Sequence, residues 1–128
     1  MCLDKLSNFK IGCYKGWQFF RKEKGKLYPV ACDFAYEEAF KRKTVPVGVW
    51  EKDKNCYDLV TIDKEDFYQT GFHIFLSKSE AEKIFDFVFV EDREKTELRK
   101  VRFRKIVARG YIRGVKTVVV RERMVLPA

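Results

Sequence analysis

Two β-favouring runs flank a tight-turn dipeptide near the C-terminus, and this pattern limits the fold more than any other in the chain. Val101 and Phe103 alternate with Arg102 and Arg104, Arg113-Gly114 supplies a turn, and Val115 to Leu126 is rich in β-branched residues. Alternation with period two places successive side chains on opposite faces of a strand, and a glycine-containing turn between such runs predicts an antiparallel pair. The alternation slips at Arg104-Lys105, where two basic residues adjoin, so a bulge or an exposed edge is expected there.

Upstream, Gly16 to Phe20 reads as an aromatic strand, Lys24-Gly25 as a turn and Lys26 to Val30 as the return strand. A short helix is expected from Asp33, as its cap, through Arg42, with Tyr36, Ala39 and Phe40 on one face and Pro46 and Gly48 beyond its end. A further strand is expected near Tyr57 to Ile62. The run after Gly71, Phe72 to Leu76, reads as a buried strand that passes directly into a helix. Ser77 and Glu80 form a capping box there, and Ala81, Ile84, Phe85 and Val88 form an apolar stripe. The reading is one α+β domain over residues 1–128: a mostly antiparallel twisted sheet with one or two short helices packed on it.

With 46% hydrophobic and 16% aromatic residues, a chain of 128 can bury a single core. No apolar run approaches the roughly 20 residues that span a bilayer, and Met1-Cys2-Leu3-Asp4-Lys5 lacks a signal-peptide pattern. The expectation is a cytoplasmic protein without a membrane partner. Cys2, Cys13, Cys32 and Cys56 contain no C-x-x-C pair and read as free thiols, mostly buried.

The net charge of +8 is segregated. Residues 1–96 hold 17 basic and 17 acidic residues, whereas residues 97–128 hold ten basic residues against Glu97 and Glu122. Those ten are Arg99, Lys100, Arg102, Arg104, Lys105, Arg109, Arg113, Lys116, Arg121 and Arg123. Arg102 and Arg104 share one side of a strand, as do Arg121 and Arg123 on another, so an in-line display of cations is expected, together with Tyr111. Such a surface suits nucleic-acid phosphates, and an acidic protein face or solvent alone would satisfy the same charges.

Signatures of chemistry are sparse. A single histidine, His73, excludes a two-histidine metal site, and it reads as a packed strand residue or as a member of a nucleotide pocket. Asp63, Glu65 and Asp66 fit a solvated turn. The glycines at 48, 71, 110 and 114 form neither a dinucleotide fingerprint nor a P-loop. Lys15-Gly16-Trp17-Gln18-Phe19-Phe20 partly matches the aromatic RNA-recognition motif, but Gln18 replaces its small residue, and a core strand is the better reading. No cofactor or metal is expected.

From Tyr14 to Leu126 the order of features resembles small uncharacterised proteins of phages and bacteria. The matching positions are Gly71-Phe72-His73, Ala81 and Val118-Val119-Val120-Arg121-Glu122-Arg123-Met124. This resemblance implies a phage or mobile-element accessory protein that acts in the host cytosol by binding and inhibiting host machinery, with anti-defence activity as one form. The Gly-Phe-His strand and capped helix also look like a segment of ADP-ribosyltransferase-like folds, in which a histidine helps hold the nicotinamide dinucleotide; only His73 carries over. The expected function is therefore a non-enzymatic binding module whose basic C-terminal sheet engages nucleic acid or an acidic host protein. A nucleotide-binding enzyme with His73 in its pocket is the alternative, and an exposed strand edge would favour a homodimer.

Overall fold

The computed structural model describes residues 3–29, 44–53, 59–62, 66–88 and 95–128. The expected C-terminal pair is its centre. Strand β8 (Thr96–Ile112) and strand β9 (Val115–Val125) run antiparallel from Ile112↔Val115 to Val101↔Val125. Arg113 and Gly114 both have positive φ, 48° and 81°, the backbone of a two-residue type I′ turn whose twist matches that of the flanking strands. Lys24 and Gly25, at 50° and 76°, make the same turn between β2 (Lys15–Glu23) and β3 (Lys26–Pro29).

At 17 residues, β8 is too long for one partner. It pairs with β2 over Thr96 to Arg102, with β9 over Val101 to Ile112, and with the short β1 (Lys5–Leu6) at Gly110 and Tyr111. The far edge of β9 takes β7 (Phe72–Phe75) and then β4 (Trp50–Lys52). Because β2 also meets β7 at Trp17↔Phe75, the strands β8, β2, β7 and β9 close into a ring. Gly16 makes that closure fit: a Cβ there would lie 2.5 Å from Ile74 Cγ2 and 2.6 Å from the Phe75 carbonyl oxygen. A separate ribbon pairs β5 (Leu59–Thr61) with β6 (Phe67–Gln69).

The roll has a core on each face. Inside lie Phe20, Leu27, Val45, Ile74, Val101, Phe103, Val118, Val120 and Val125. Outside, Leu3, Phe19, Tyr68, Phe75, Ile112, Val115 and Val119 pack with Ala81 and Ile84 of helix α1 (Lys78–Val88). Val118, Val119 and Val120 are all 0% exposed, since the first and third face inward and the second outward. A strand covered on both faces has no polar alternation to display, and each fully buried side chain contributes roughly 1.5–3 kcal/mol. Helix α1 starts as expected, with Ser77 Oγ accepting the Glu80 amide at 3.3 Å.

The alternation slip is a bulge. Lys105 has φ 59°, so that Phe103 and Ile106, three positions apart, both serve the inner core, and a register shift follows between Ile106 and Ala108. The architecture is thus a mostly antiparallel sheet with, among the described residues, one short helix. The strand expected near Tyr57 to Ile62 is β5, limited to Leu59–Thr61, and the helix expected over Asp33 to Arg42 lies outside the described residues. Strands β1, β4 and β6 carry no sequence pattern strong enough to announce them.

Candidate nucleic-acid interface

Directly paired residues of an antiparallel sheet point to the same side, so the register alone defines which side chains share a face. One row crosses four strands: Lys15 on β2, Arg102 on β8, Met124 on β9 and Trp50 on β4. The next row holds Arg104, Glu122 and Lys52, and the row on the other side holds Trp17 and Lys100. These rows lie on the outer face of the roll, continuous with Phe19 and Leu98 of the outer core. Lys15, Lys52, Lys100, Arg102, Arg104 and the bulged Lys105 are exposed, while Trp17, Trp50 and Met124 are half-buried.

Five cations therefore stand in these three rows and the bulged Lys105 beside them, and the rows hold one carboxylate, Glu122. Arg104 Nε donates to Glu122 Oε2, and Lys105 Nζ lies 3.0 Å from Oε1. The Arg104 hydrogen bond, followed by that of Lys105, holds the Glu122 carboxyl below its ordinary range, so it stays ionised and masks two cations. Replacing it by glutamine (Glu122→Gln) releases both. Affinity for a polyanion at about 0.1 M salt is then expected to rise several-fold, with a steeper salt dependence, as read by fluorescence anisotropy. The tryptophans are set among these charges: Arg104 lies 4.0 Å from the Trp50 ring centroid, and Lys78 and Lys100 lie 5.0 and 5.9 Å from that of Trp17.

The ten C-terminal cations do not form one array. Lys100, Arg102, Arg104 and Lys105 belong to the face just described. Arg99 turns to the other side, donating to the Leu126 carbonyl at 2.9 Å and lying 3.8 Å from Glu97. Arg121 donates to Gln69 Oε1 at 3.0 Å and is half-buried. Arg123, expected in line with Arg121 on a displayed surface, is instead 4% exposed inside the roll. Its guanidinium sits 4.3 Å from the Phe72 ring and 4.9 Å from the Phe20 ring, with Glu51 at 3.5 Å. Burial lowers its pKa to about 10, against the pull of Glu51, and it remains charged at neutral pH. Arg109, Arg113 and Lys116 form a second, smaller group at the β8–β9 turn, tied to the N-terminal segment. Arg109 donates to the Phe9 carbonyl at 3.1 Å, the Arg113 amide donates to Asp4 Oδ2 at 2.6 Å, and Lys116 lies 5.5 Å from the Phe9 ring.

His73 is held by its neighbours. Nδ1–H donates to the Gly71 carbonyl at 3.0 Å, which leaves Nε2 to accept the Tyr68 hydroxyl at 2.9 Å, and the Tyr68 oxygen accepts the Leu3 amide at 3.0 Å. Both ring nitrogens are thus engaged in fastening the N-terminal segment and β6 to β7. An open cleft of about 330 Å³ is lined by Glu80, Lys83, Ile84, Arg113, Gly114 and Val115, and His73 is not among its lining residues. Burial pushes the His73 pKa down to about 4, from 6.5. Between those values the unfolded chain binds a proton that the folded chain refuses, so stability falls as pH drops through this window and levels off below about 4. The stability advantage of the wild type over His73→Gln, from urea unfolding, is expected to shrink by about 2 kcal/mol between pH 7 and pH 4.5.

A charge count locates the basic surface in the last quarter and does not reach Lys15, Lys52, Trp17 and Trp50, which lie in the electrically balanced part of the chain. The signal for two of them was the aromatic segment Lys15 to Phe20. Phe19 and Phe20 are core residues, one in each core, whereas Lys15 and Trp17 point to the outer face. Cys13 is free but exposed, contrary to the expected burial, and Cys2, Cys32 and Cys56 lie outside the described residues. Among the described residues no helix is long and apolar enough to cross a membrane, and no three His, Cys, Asp or Glu residues are grouped to hold a metal ion. No family model, no curated protein and no solved structure matches this chain.

Proposed function

We propose that this protein is a non-enzymatic binding module that holds nucleic acid on the outer face of β2, β8, β9 and β4. The observation that carries the reading is the set of three register-aligned rows, which among the described residues hold five exposed cations, both tryptophans and a single carboxylate, with the bulged Lys105 beside them. Counterion release makes such a face a phosphate binder, and ladder hydrogen bonding holds the strands that carry it rigid, so little ordering entropy opposes binding. The engagement of both His73 nitrogens supports a module that binds over one that reacts.

Anisotropy titrations of labelled single-stranded and duplex oligonucleotides across about 50–300 mM salt test this. Contact with four or five phosphates gives a slope of log affinity against log salt of about −3 to −4. Absence of binding at the lowest salt, or tight binding that ignores salt, contradicts the proposal. In the first case the same cations are left for an acidic protein face.

A further inference from the structure

Resting on that reading, we infer that the ligand is single-stranded nucleic acid, with unstacked bases laid on Trp17 and Trp50. The two indoles stand at opposite margins of the basic face, on β2 and β4, with β8 and β9 between them. Three inter-strand steps of about 4.8 Å set them roughly 14 Å apart across the sheet. They are further offset by two residues along the strand direction, because Trp50 shares its row with Arg102 whereas Trp17 pairs with Lys100.

This width decides between ligand geometries. A B-form major groove is about 12 Å wide and admits a helix or a two-stranded ribbon, not a four-stranded outer face. A duplex would therefore meet this surface through its phosphates alone, and neither indole would find a base. A single strand offers phosphates and free base faces together. Lys15, Lys100 and Arg102 lie in the two rows that hold the rings, and Arg104 and Lys52 lie in the row beyond Trp50, so a backbone running from one indole to the other crosses Lys100 or Arg102 and is flanked by further cations at both ends. The cations lie over the rings, Arg104 on Trp50 and Lys78 with Lys100 on Trp17, so an incoming base takes their place on the indole while each long side chain swings aside to the adjoining phosphate. Met124, half-buried in the central row, provides an apolar floor between the two stacking positions.

Excited at the red edge of the spectrum, where its six tyrosines do not absorb, the chain's fluorescence reports on its two tryptophans, Trp17 and Trp50. The test titrates the wild-type chain with a twelve-residue oligothymidylate, the matching oligouridylate, a twelve-base-pair duplex and polyglutamate at one salt concentration, following quenching and anisotropy. Expected are strong quenching by the single strands and affinity for them at least tenfold above that for the duplex. The two single strands separate DNA from RNA as the source. Trp50→Leu, at the sheet margin, should weaken single-strand binding by about 5- to 100-fold, leaving duplex binding and the salt slope unchanged. Trp17→Tyr keeps the packing of Trp17 and a ring for stacking, and it should retain most of the affinity.

Equal or tighter duplex binding, or single-strand binding without quenching, overturns the stacking inference while the basic face stands. Binding of polyglutamate alone overturns both readings. Because the quenching arm uses the wild-type protein, the inference stays testable even where a tryptophan variant fails to fold.

Discussion

Replacing Arg123 with alanine is expected to lower the unfolding free energy by about 3–5 kcal/mol, whereas methionine at the same position should stay within about 1 kcal/mol of wild type. The reason is where the side chain lies. Its guanidinium lies against the Phe20 and Phe72 rings inside the roll, and its Nε and Nη1 have no hydrogen-bond partner among the described residues. Glu51, at 3.5 Å, is the charge partner of its strand pair. A buried ion pair with incomplete hydrogen bonding gains little from its charges, since desolvation offsets most of the Coulomb attraction. The favourable part is volume: the aliphatic stem and planar head fill the space between two aromatic rings. Alanine empties that space, while methionine refills it with flexible apolar atoms and leaves Glu51 without its partner, its Oε1 buried but the side chain as a whole partly hydrated. Urea unfolding of the three proteins at neutral pH measures this. A methionine variant as unstable as the alanine one would show that the Glu51 pairing, not the packing, holds the site together.

The second large effect concerns binding. Changing Lys100, Arg102 and Arg104 together to serine should weaken nucleic-acid affinity by about 100-fold at 0.15 M salt and flatten the salt slope by about two units. Each phosphate contact contributes roughly 0.7 to 0.9 to that slope; Lys100 and Arg102 remove two contacts, and Arg104, partly neutralised by Glu122, removes part of a third. All three side chains are exposed, so the loss should come without unfolding: a surface substitution typically shifts stability by less than about 0.5 kcal/mol. A variant that loses affinity along with its melting transition would show a folding defect, and this is why both are measured on the same preparation.

The local features of the fold were legible in the chain, and the long-range ones were not. The turns at Lys24-Gly25 and Arg113-Gly114, the Ser77 cap and the slip at Lys105 are each set by two to four neighbouring residues, so their physics is contained in the segment that encodes them. The direction in which β9 faces is different. Val118 to Val120 are apolar on both sides because both faces of the strand are covered, and nothing in that run says which side is the inside of the roll. The parity of Arg121 and Arg123 was therefore undetermined, and Arg123, expected on a displayed surface, lies with Val101 and Val125 in the inner core region. Counting charge likewise located the excess in the last quarter but missed how strand pairing assembles the face. Lys15 arrives from β2 and Lys52 from β4, through register with Arg102 and Glu122, and no local pattern signals either. Arg109, Arg113 and Lys116 show the converse, contiguous in the charge count yet gathered at the far turn.

That separation supplies the most direct test of the central claim, that the outer face of β2, β8, β9 and β4 is the nucleic-acid surface. Two variants remove the same charge: one changes Lys100, Arg102 and Arg104 to serine, the other Arg109, Arg113 and Lys116. Single-strand affinity is measured for both at the same ionic strength. The account predicts a loss of about 100-fold for the first and less than about fivefold for the second, the residue of long-range attraction alone. Equal losses, or the larger loss from the turn variant, would contradict it.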